Sequence, residues 1–290
     1  MKKVSISKVL LYLATAFFAL FCLLPILLTL MVSFTDEKCI QQYGYSFFPR
    51  KFSDYAYQLI FAGGSSVLRS YGITIIITVA GTLFAVMITT GAAYALANKN
   101  VKYRNGMAFY FFFTMVFTSG IVPWYMICRQ LSLTNNIWAL IIPNLMFSPF
   151  NLFLVRNYMS GIPDALRESA LIDGANDFVI AFRIYMPLCV PVIATITLFY
   201  GLAYWNDWWN AIMLVDNENL YPLQYLLLEL QSRINMINTL QNLAGSSGQT
   251  VPTESIKMAT SIVTIGPIVL LYPFLQRYFV KGLIIGSVKG

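Results

Sequence analysis

Between two long apolar stretches of this chain lies a polar, breaker-punctuated segment, Ile162 to Pro191, reading IPDALRESALIDGANDFVIAFRIYMPLCVP. Glu168, Ser169 and Ala170 stand there in succession, and after three intervening residues comes Gly174, flanked by Asp173 and Ala175. Pro163 suits the first turn of a helix, where its missing N–H costs nothing, and Asp164 and Glu168 favour the positive helix start. Gly174 can take the left-handed conformation that ends such a helix, and a second helix over about Ala175–Tyr185 then leads to Pro187. Leu166 with Ala170 would form a small apolar side and Ser169 with Asp173 a polar one. Two readings follow: insertion into a partner's groove with Glu168 pairing a cation, or a loop helix packed on its own bundle with Glu168 solvated.

A second polar group, Tyr204–Asn210 (YWNDWWN), interrupts an apolar run. A carboxylate at membrane depth is costly unless it faces the bundle interior or water, so Asn206 and Asp207 either line a polar path or fix helix packing beside one. Trp208 and Trp209 also fit an interfacial aromatic belt. Asn144 and Asn151 are seven residues apart, two helical turns, and are expected to point the same way, towards an interhelical hydrogen bond or a pore.

Other chemistries lack their parts. The chain has no His, and its four cysteines, Cys22, Cys39, Cys128 and Cys189, are scattered without a CxxC pair, so no metal site is expected. No nucleophile and base fall together, which disfavours a membrane-embedded enzyme. A GxxxxGK[ST] loop is absent, and Gly245–Thr250 (GSSGQT) lacks the lysine that would reach a phosphate. No cofactor is expected on this chain.

The elements that must hold these residues are set by composition. Of 290 residues, 58% are hydrophobic and 11% charged, and the mean hydropathy of +0.67 is that of a chain whose solvent is lipid. Six uncharged apolar runs approach the roughly 20 residues that cross a bilayer: about Val9–Phe34, Gly72–Ala97, Met107–Cys128, Ile137–Val155, Leu188–Val215 and Met258–Gln276. Backbone groups in lipid find no water, so such runs must be helices, kinked where Pro25, Pro123 or Pro143 intervenes. The fold class expected is all-α, a polytopic membrane protein with six transmembrane helices. With both termini cytoplasmic, twelve of the 19 Lys and Arg lie inside and seven outside, as the positive-inside rule requires. The pI of 9.2 then reflects topology and contact with anionic membrane lipid rather than nucleic-acid binding. MKKVSISK and the long apolar run after it read as a retained signal anchor, since no small-residue cleavage site closes the run.

The expected organisation is a first transmembrane helix and extracellular loop over 1–70, a core of five helices over 71–281, and a cytoplasmic tail over 282–290. Within the core, 156–187 is the cytoplasmic polar loop and 216–257 an extracellular loop with an amphipathic stretch, Leu223–Ile237, and a mobile tip at Ala244–Gln249.

Glu168-Ser169-Ala170, Gly174, Ile184 and Pro187 have the spacing of the EAA loop of bacterial ABC-importer permeases. The six-run plan, YWNDWWN and the ending YPFLQRYFVKGLIIGSVKG extend the resemblance to carbohydrate-uptake permeases like the six-span second permease subunit of the maltose importer. It implies the type I ABC importer permease fold in a bacterial cell membrane. It also implies that Glu168, Ser169, Ala170, Asp173, Gly174 and Ala175 form the coupling helix, which docks in a cleft of a cytoplasmic ATPase. Met186 stands where that family most often has Leu, a volume-conserving change. The tail, with Gly282, Gly286 and Lys289, would reach between two ATPase subunits, or else form a lipid-binding terminus. The implied partners are a second homologous permease, two ATP-binding subunits carrying ATP and Mg, an extracellular solute-binding protein and a saccharide substrate. The competing readings are an ABC importer of a non-sugar solute and an ion-coupled secondary transporter, which would need more intramembrane carboxylates than Asp207.

Overall fold

A computed structural model describes residues 6–62, 65–243 and 252–269, and the regular structure of the described residues is helical apart from one bridge pair, Thr35 with Phe52. In chain order its helices are α1 (Ile6–Ser33), α2 (Glu37–Tyr43), α3 (Tyr55–Ala62), α4 (Ser65–Ala97), α5 (Arg104–Val116), α6 (Ile121–Gln130), α7 (Trp138–Ile141) and α8 (Pro149–Met159). They continue with α9 (Asp164–Ile172), α10 (Asp177–Val179), a π-helical turn (Ile180–Tyr185), α11 (Met186–Leu188), α12 (Val190–Trp205), α13 (Trp209–Leu214), a 3-10 turn (Glu218–Leu220), α14 (Leu223–Leu243) and α15 (254–269). The described residues divide into two compact units, 6–67 with 226–269, and 68–225.

Two helices are long and apolar enough to cross a membrane, α1 through Lys8–Ser33 and α4 through Ser66–Ala97. Two bent pairs pass the same test jointly, α5 with α6 at 116° and Asp177–Leu188 with α12 at 84°. Three runs expected as single helices are therefore broken. Met107–Cys128 divides between α5 and α6 because Phe117 turns extended and Gly120 adopts φ +83°, a conformation open to glycine. Ile137–Val155 divides between α7 and α8 around Pro143 and Asn144, whose φ is +62°. Leu188–Val215 divides between α12 and α13 at Asn206–Trp208. Pro25, by contrast, sits inside an unbroken α1, where the Thr29 hydroxyl donates to its carbonyl at 2.8 Å.

In the first unit, the loop after α1 is tied down by its own side chains. Asp36 accepts from the Lys38 amide at 3.0 Å to cap α2, and Lys51 reaches the same carboxylate at 2.8 Å. Phe34 stacks on Phe52 and Tyr57. Glu37 is 7% exposed, and its carboxylate accepts from the amides of Glu254 at 3.1 Å and Ser255 at 3.0 Å and from the Ser255 hydroxyl at 2.8 Å. A distant side chain thus supplies the anionic cap at the start of α15.

The core of the second unit is built by α4 (Ala85, Ala93, Leu96), α8 (Leu152, Val155, Met159) and α12 (Ile196, Tyr200, Tyr204). Apolar attraction does little between helices in lipid, so close packing and hydrogen bonds must hold them. Gly81 permits the closest approach: a Cβ there would lie 2.4 Å from Cζ of Tyr204. Residues of α12 and α13 repair the break between α7 and α8. Tyr204 Oη donates to the Ile141 carbonyl at 2.8 Å, Asn210 Nδ2 to the Pro143 carbonyl at 3.0 Å, and Tyr200 Oη accepts from the Ser148 amide at 3.0 Å while bonding Thr89 Oγ1 at 2.7 Å. Backbone groups freed by the break therefore find partners without water.

Candidate functional site

The polar hairpin emerges from the C-terminal end of α8. Pro163 occupies the position just before α9 rather than its first turn, with extended backbone at φ −60° and ψ 131°. The helix stops where Gly174 takes φ +82°, and two backbone bonds close it: the Gly174 amide to the Leu171 carbonyl at 3.0 Å and the Ala175 amide to the Ala170 carbonyl at 2.9 Å. This pair is the Schellman arrangement that a left-handed glycine allows. Asn176 then caps the second arm, accepting from the Val179 amide at 2.9 Å, and that arm runs through the π-helical turn to Leu188, three residues beyond its expected end.

Side chains bind the two arms together and to the helix behind them. Asp177 Oδ1 accepts from Arg167 Nη2 at 3.1 Å and from Tyr94 Oη at 3.0 Å, joining α10 to α9 and α4. The guanidinium, and after it the Tyr94 hydroxyl, holds the Asp177 carboxyl below the usual carboxylate range. Lys99, just past α4, pairs with Asp164 at 2.5 Å, and the Tyr94 and Tyr185 rings meet edge to face at 5.1 Å. Arg167, Asp177, Tyr94 and Lys99 are absent from the sequence-derived candidates, although they fix the hairpin's position.

The candidates themselves separate by environment. Glu168 and Asp173 are exposed, and Ser169 Oγ is engaged within α9 by the Ala165 carbonyl at 2.9 Å. Ala170 is buried against the unit's own core, and Ala175 packs beside it. Of the expected small apolar side, Ala170 is thus turned inward while Leu166 stays exposed. The outward apolar surface belongs instead to Ile172, 86% exposed, Phe178, 74% exposed, and Phe182, whose ring stacks on Phe178 at 4.8 Å. Exposed aromatic and aliphatic side chains beside a carboxylate with no ion-pair partner among the described residues make a surface suited to burial by a partner.

Asn144 and Asn151 do not share a helix face: Asn144 sits exposed in the turn after α7, whereas Asn151 is buried in the first turn of α8. The break at Pro143 removes the periodicity that would have aligned them. Asn206 is exposed, donating to the Leu202 carbonyl at 2.8 Å and accepting from Gln224 Nε2 at 3.1 Å. Asp207 is 9% exposed, and its Oδ1 accepts from the amides of Trp209 at 3.2 Å and Asn210 at 3.4 Å, which caps the start of α13. Its Oδ2 and the Asn210 Oδ1 are buried without a partner among the described residues. Gly282, Gly286 and Lys289 lie outside the described residues, as does the Ala244–Gln249 tip. Among the described residues no three His, Cys, Asp or Glu side chains are grouped to hold a metal ion.

Residues 87–285 match the family model described as "Binding-protein-dependent transport system inner membrane component". The chain is 37% identical over 273 residues to Protein LplC of Bacillus subtilis, covering 92% of this chain and 90% of that protein. It is 36% identical, covering 94% of each chain, to the polygalacturonan/rhamnogalacturonan transport system permease protein YtcP of the same organism. A chain in the crystal structure of a bacterial ABC transporter involved in the import of the acidic polysaccharide alginate superposes with a TM-score of 0.78 at 30% identity, covering 96% of this chain and all of that one. The fold is that of an ABC importer permease. The chain belongs to the family of binding-protein-dependent transport system inner membrane components, and it is the membrane permease part of such an importer.

Proposed function

We propose that this permease imports an oligosaccharide across a bacterial cell membrane, with uronate-containing chains as the substrate class. The observation that carries the reading is similarity over nearly the full chain to two proteins whose names specify acidic polysaccharides, polygalacturonan/rhamnogalacturonan and alginate. Six spans with both termini cytoplasmic complete the topology, with 1–70 as first helix and outer loop and 71–281 as the permease core. The lysine and arginine distribution supports that orientation. Loop 216–257 faces an extracellular solute-binding protein, and a second homologous permease completes the cavity.

Energy enters through the hairpin 156–187. Two cytoplasmic ATP-binding subunits carry ATP and Mg and dock on Glu168, Asp173 and the outward Ile172 and Phe178, with the 282–290 tail as a further contact. The Schellman closure at Gly174 and the Asp177 link to Arg167 and Tyr94 make the hairpin stiff enough to pass a displacement to α4. Asn144, Asn151, Asn206 and Asp207 remain candidates for the translocation path, with Asp207 and Asn151 acting from buried positions beside it.

The test is uptake of labelled oligogalacturonide by proteoliposomes holding the complete transporter. ATP-dependent accumulation that neutral maltooligosaccharide does not compete supports the reading. Uptake of neutral sugar alone would refute the acidic class, and accumulation driven by an ion gradient without ATP would refute the ABC mechanism.

A further inference from the structure

A cleft of about 370 Å³ lies behind the hairpin, between the end of α4, the start of α5, the end of α8 and the start of α9. Four cations line it, Lys99, Arg104, Arg156 and Arg167, against two carboxylates, Asp164 and Glu168. Lys99 pairs with Asp164, and Arg167 pairs through Nη2 with Asp177 outside the cleft, its buried Nε having no partner among the described residues. Arg104 and Arg156 have no carboxylate partner among the described residues, yet both are half-buried. Among the described residues Arg156 meets the Phe153 ring, 5.8 Å from its Cζ. A guanidinium removed from water without an anion is costly, and its planar fork matches the oxygens of a phosphate.

The backbone adds to the same field. The start of α5 and the start of α9 both edge the cleft through Arg104 and Asp164, and neither has a side-chain cap. Tyr103 before α5 is left-handed at φ +65°, and Pro163 before α9 has no side-chain group to cap the helix, its carbonyl accepting from the Leu166 amide within it. The starts of two helices and two arginines without a carboxylate partner among the described residues thus border one concave site. An arginine as the first residue of a helix opposes the helix dipole, an arrangement that an anion between them would relieve.

We infer that this cleft binds a phosphate group, held by Arg104 and Arg156 at the uncapped starts of α5 and α9. The source is either the headgroup of an anionic phospholipid or a free phosphate. The hairpin's Glu168 lies on the same wall, so an anion here sits against the part that meets the ATPase in the function proposed above. The binding itself does not depend on that function.

The experiment uses the complete transporter in phosphatidylcholine nanodiscs, with and without phosphatidylglycerol. Native mass spectrometry should show phosphatidylglycerol retained in preference to phosphatidylcholine, and R104Q/R156Q should lower that retention about ten-fold, the loss expected for two charge-assisted contacts. R183Q, an exposed arginine of the same hairpin outside the cleft, should leave it unchanged, and R104K/R156K should restore part of it. Calorimetry with inorganic phosphate in phosphatidylcholine alone forms the other arm: binding lost in R104Q/R156Q assigns a free phosphate. The inference is overturned if neither probe is bound in preference, or if R104Q/R156Q binds as the unmodified protein does.

Discussion

Arg167 and Asp177 face each other across the turn of the hairpin, Nη2 to Oδ1 at 3.1 Å, with Tyr94 of α4 completing the carboxylate's contacts at 3.0 Å. The ion pair makes the two arms one body and ties it to a membrane-spanning helix. Asp177 is well exposed, so the pair adds only about 0.5 kcal/mol to global stability. Its effect lies in placement: D177N should cut ATP-driven uptake several-fold with little change in melting temperature, and equal loss of both would contradict this.

The same pair has a defined pH dependence. The folded Asp177 carboxyl titrates below its unfolded value, so its contribution is complete above about pH 4 and disappears as pH falls through the lower folded value. Thermal unfolding of D177N should therefore differ slightly from that of the unmodified protein above about pH 5 and approach it progressively as the pH falls below about 4. A gap of constant size across that range would remove the ion pair as its cause.

Gly174 tests the geometry and Glu168 the charge. A side chain at Gly174 in its left-handed conformation costs about 1–2 kcal/mol and loosens the Schellman closure. G174D and E168K should both leave the permease in the membrane and its partners' ATP hydrolysis measurable while uptake falls at least ten-fold. Unimpaired transport in both variants sinks the docking role.

Gly81 and Tyr204 make a packing prediction. With a ring carbon 2.4 Å from the added Cβ, G81A should destabilise by about 1–3 kcal/mol, since α4 and α12 must separate. Y204F, which keeps the ring, should not rescue it, whereas Y204L should do so in part. Thermal unfolding in detergent of the single and double variants decides between them.

Glu37 makes a prediction in the first unit. E37A leaves two buried amides and a hydroxyl at the start of α15 without their acceptor, a loss of about 2 kcal/mol, and E37Q should recover less than half because it lacks the charge. Unfolding midpoints measured at one pH would show the order, and an E37A midpoint matching the unmodified one would exclude the cap.

Local chemistry made the hairpin legible in advance. Pro163 and Gly174 are punctuation whose backbone consequences are nearly context-free, and they bracket α9 to within a residue. Of the breaks in the spans, only that at Pro143 is signalled in the sequence, as a kink, because hydropathy registers the solvent of a segment and is silent on its dihedral angles. Asn144 looked like a helix residue only until Pro143 and its left-handed φ were seen together with Tyr204 and Asn210, which make the break affordable. Arg167 and Asp177 were missed for another reason. Ten residues apart, they match no helical spacing and meet only because the chain reverses at Gly174.

The Glu37 cap also bears on how the chain is assembled. Its partners lie 217 and 218 residues later, the widest separation among the described hydrogen bonds, whereas the described residues of the second unit run continuously from Leu68 to Tyr225. As the chain leaves the ribosome, that unit has all its described residues before α15 exists. Until then, Glu37 keeps its charge hydrated and the start of the chain stays unfinished. Completion of the first unit thus waits until α15 has been synthesised, which ties the Glu37 to Ser255 contact to the order of folding as well as to its outcome.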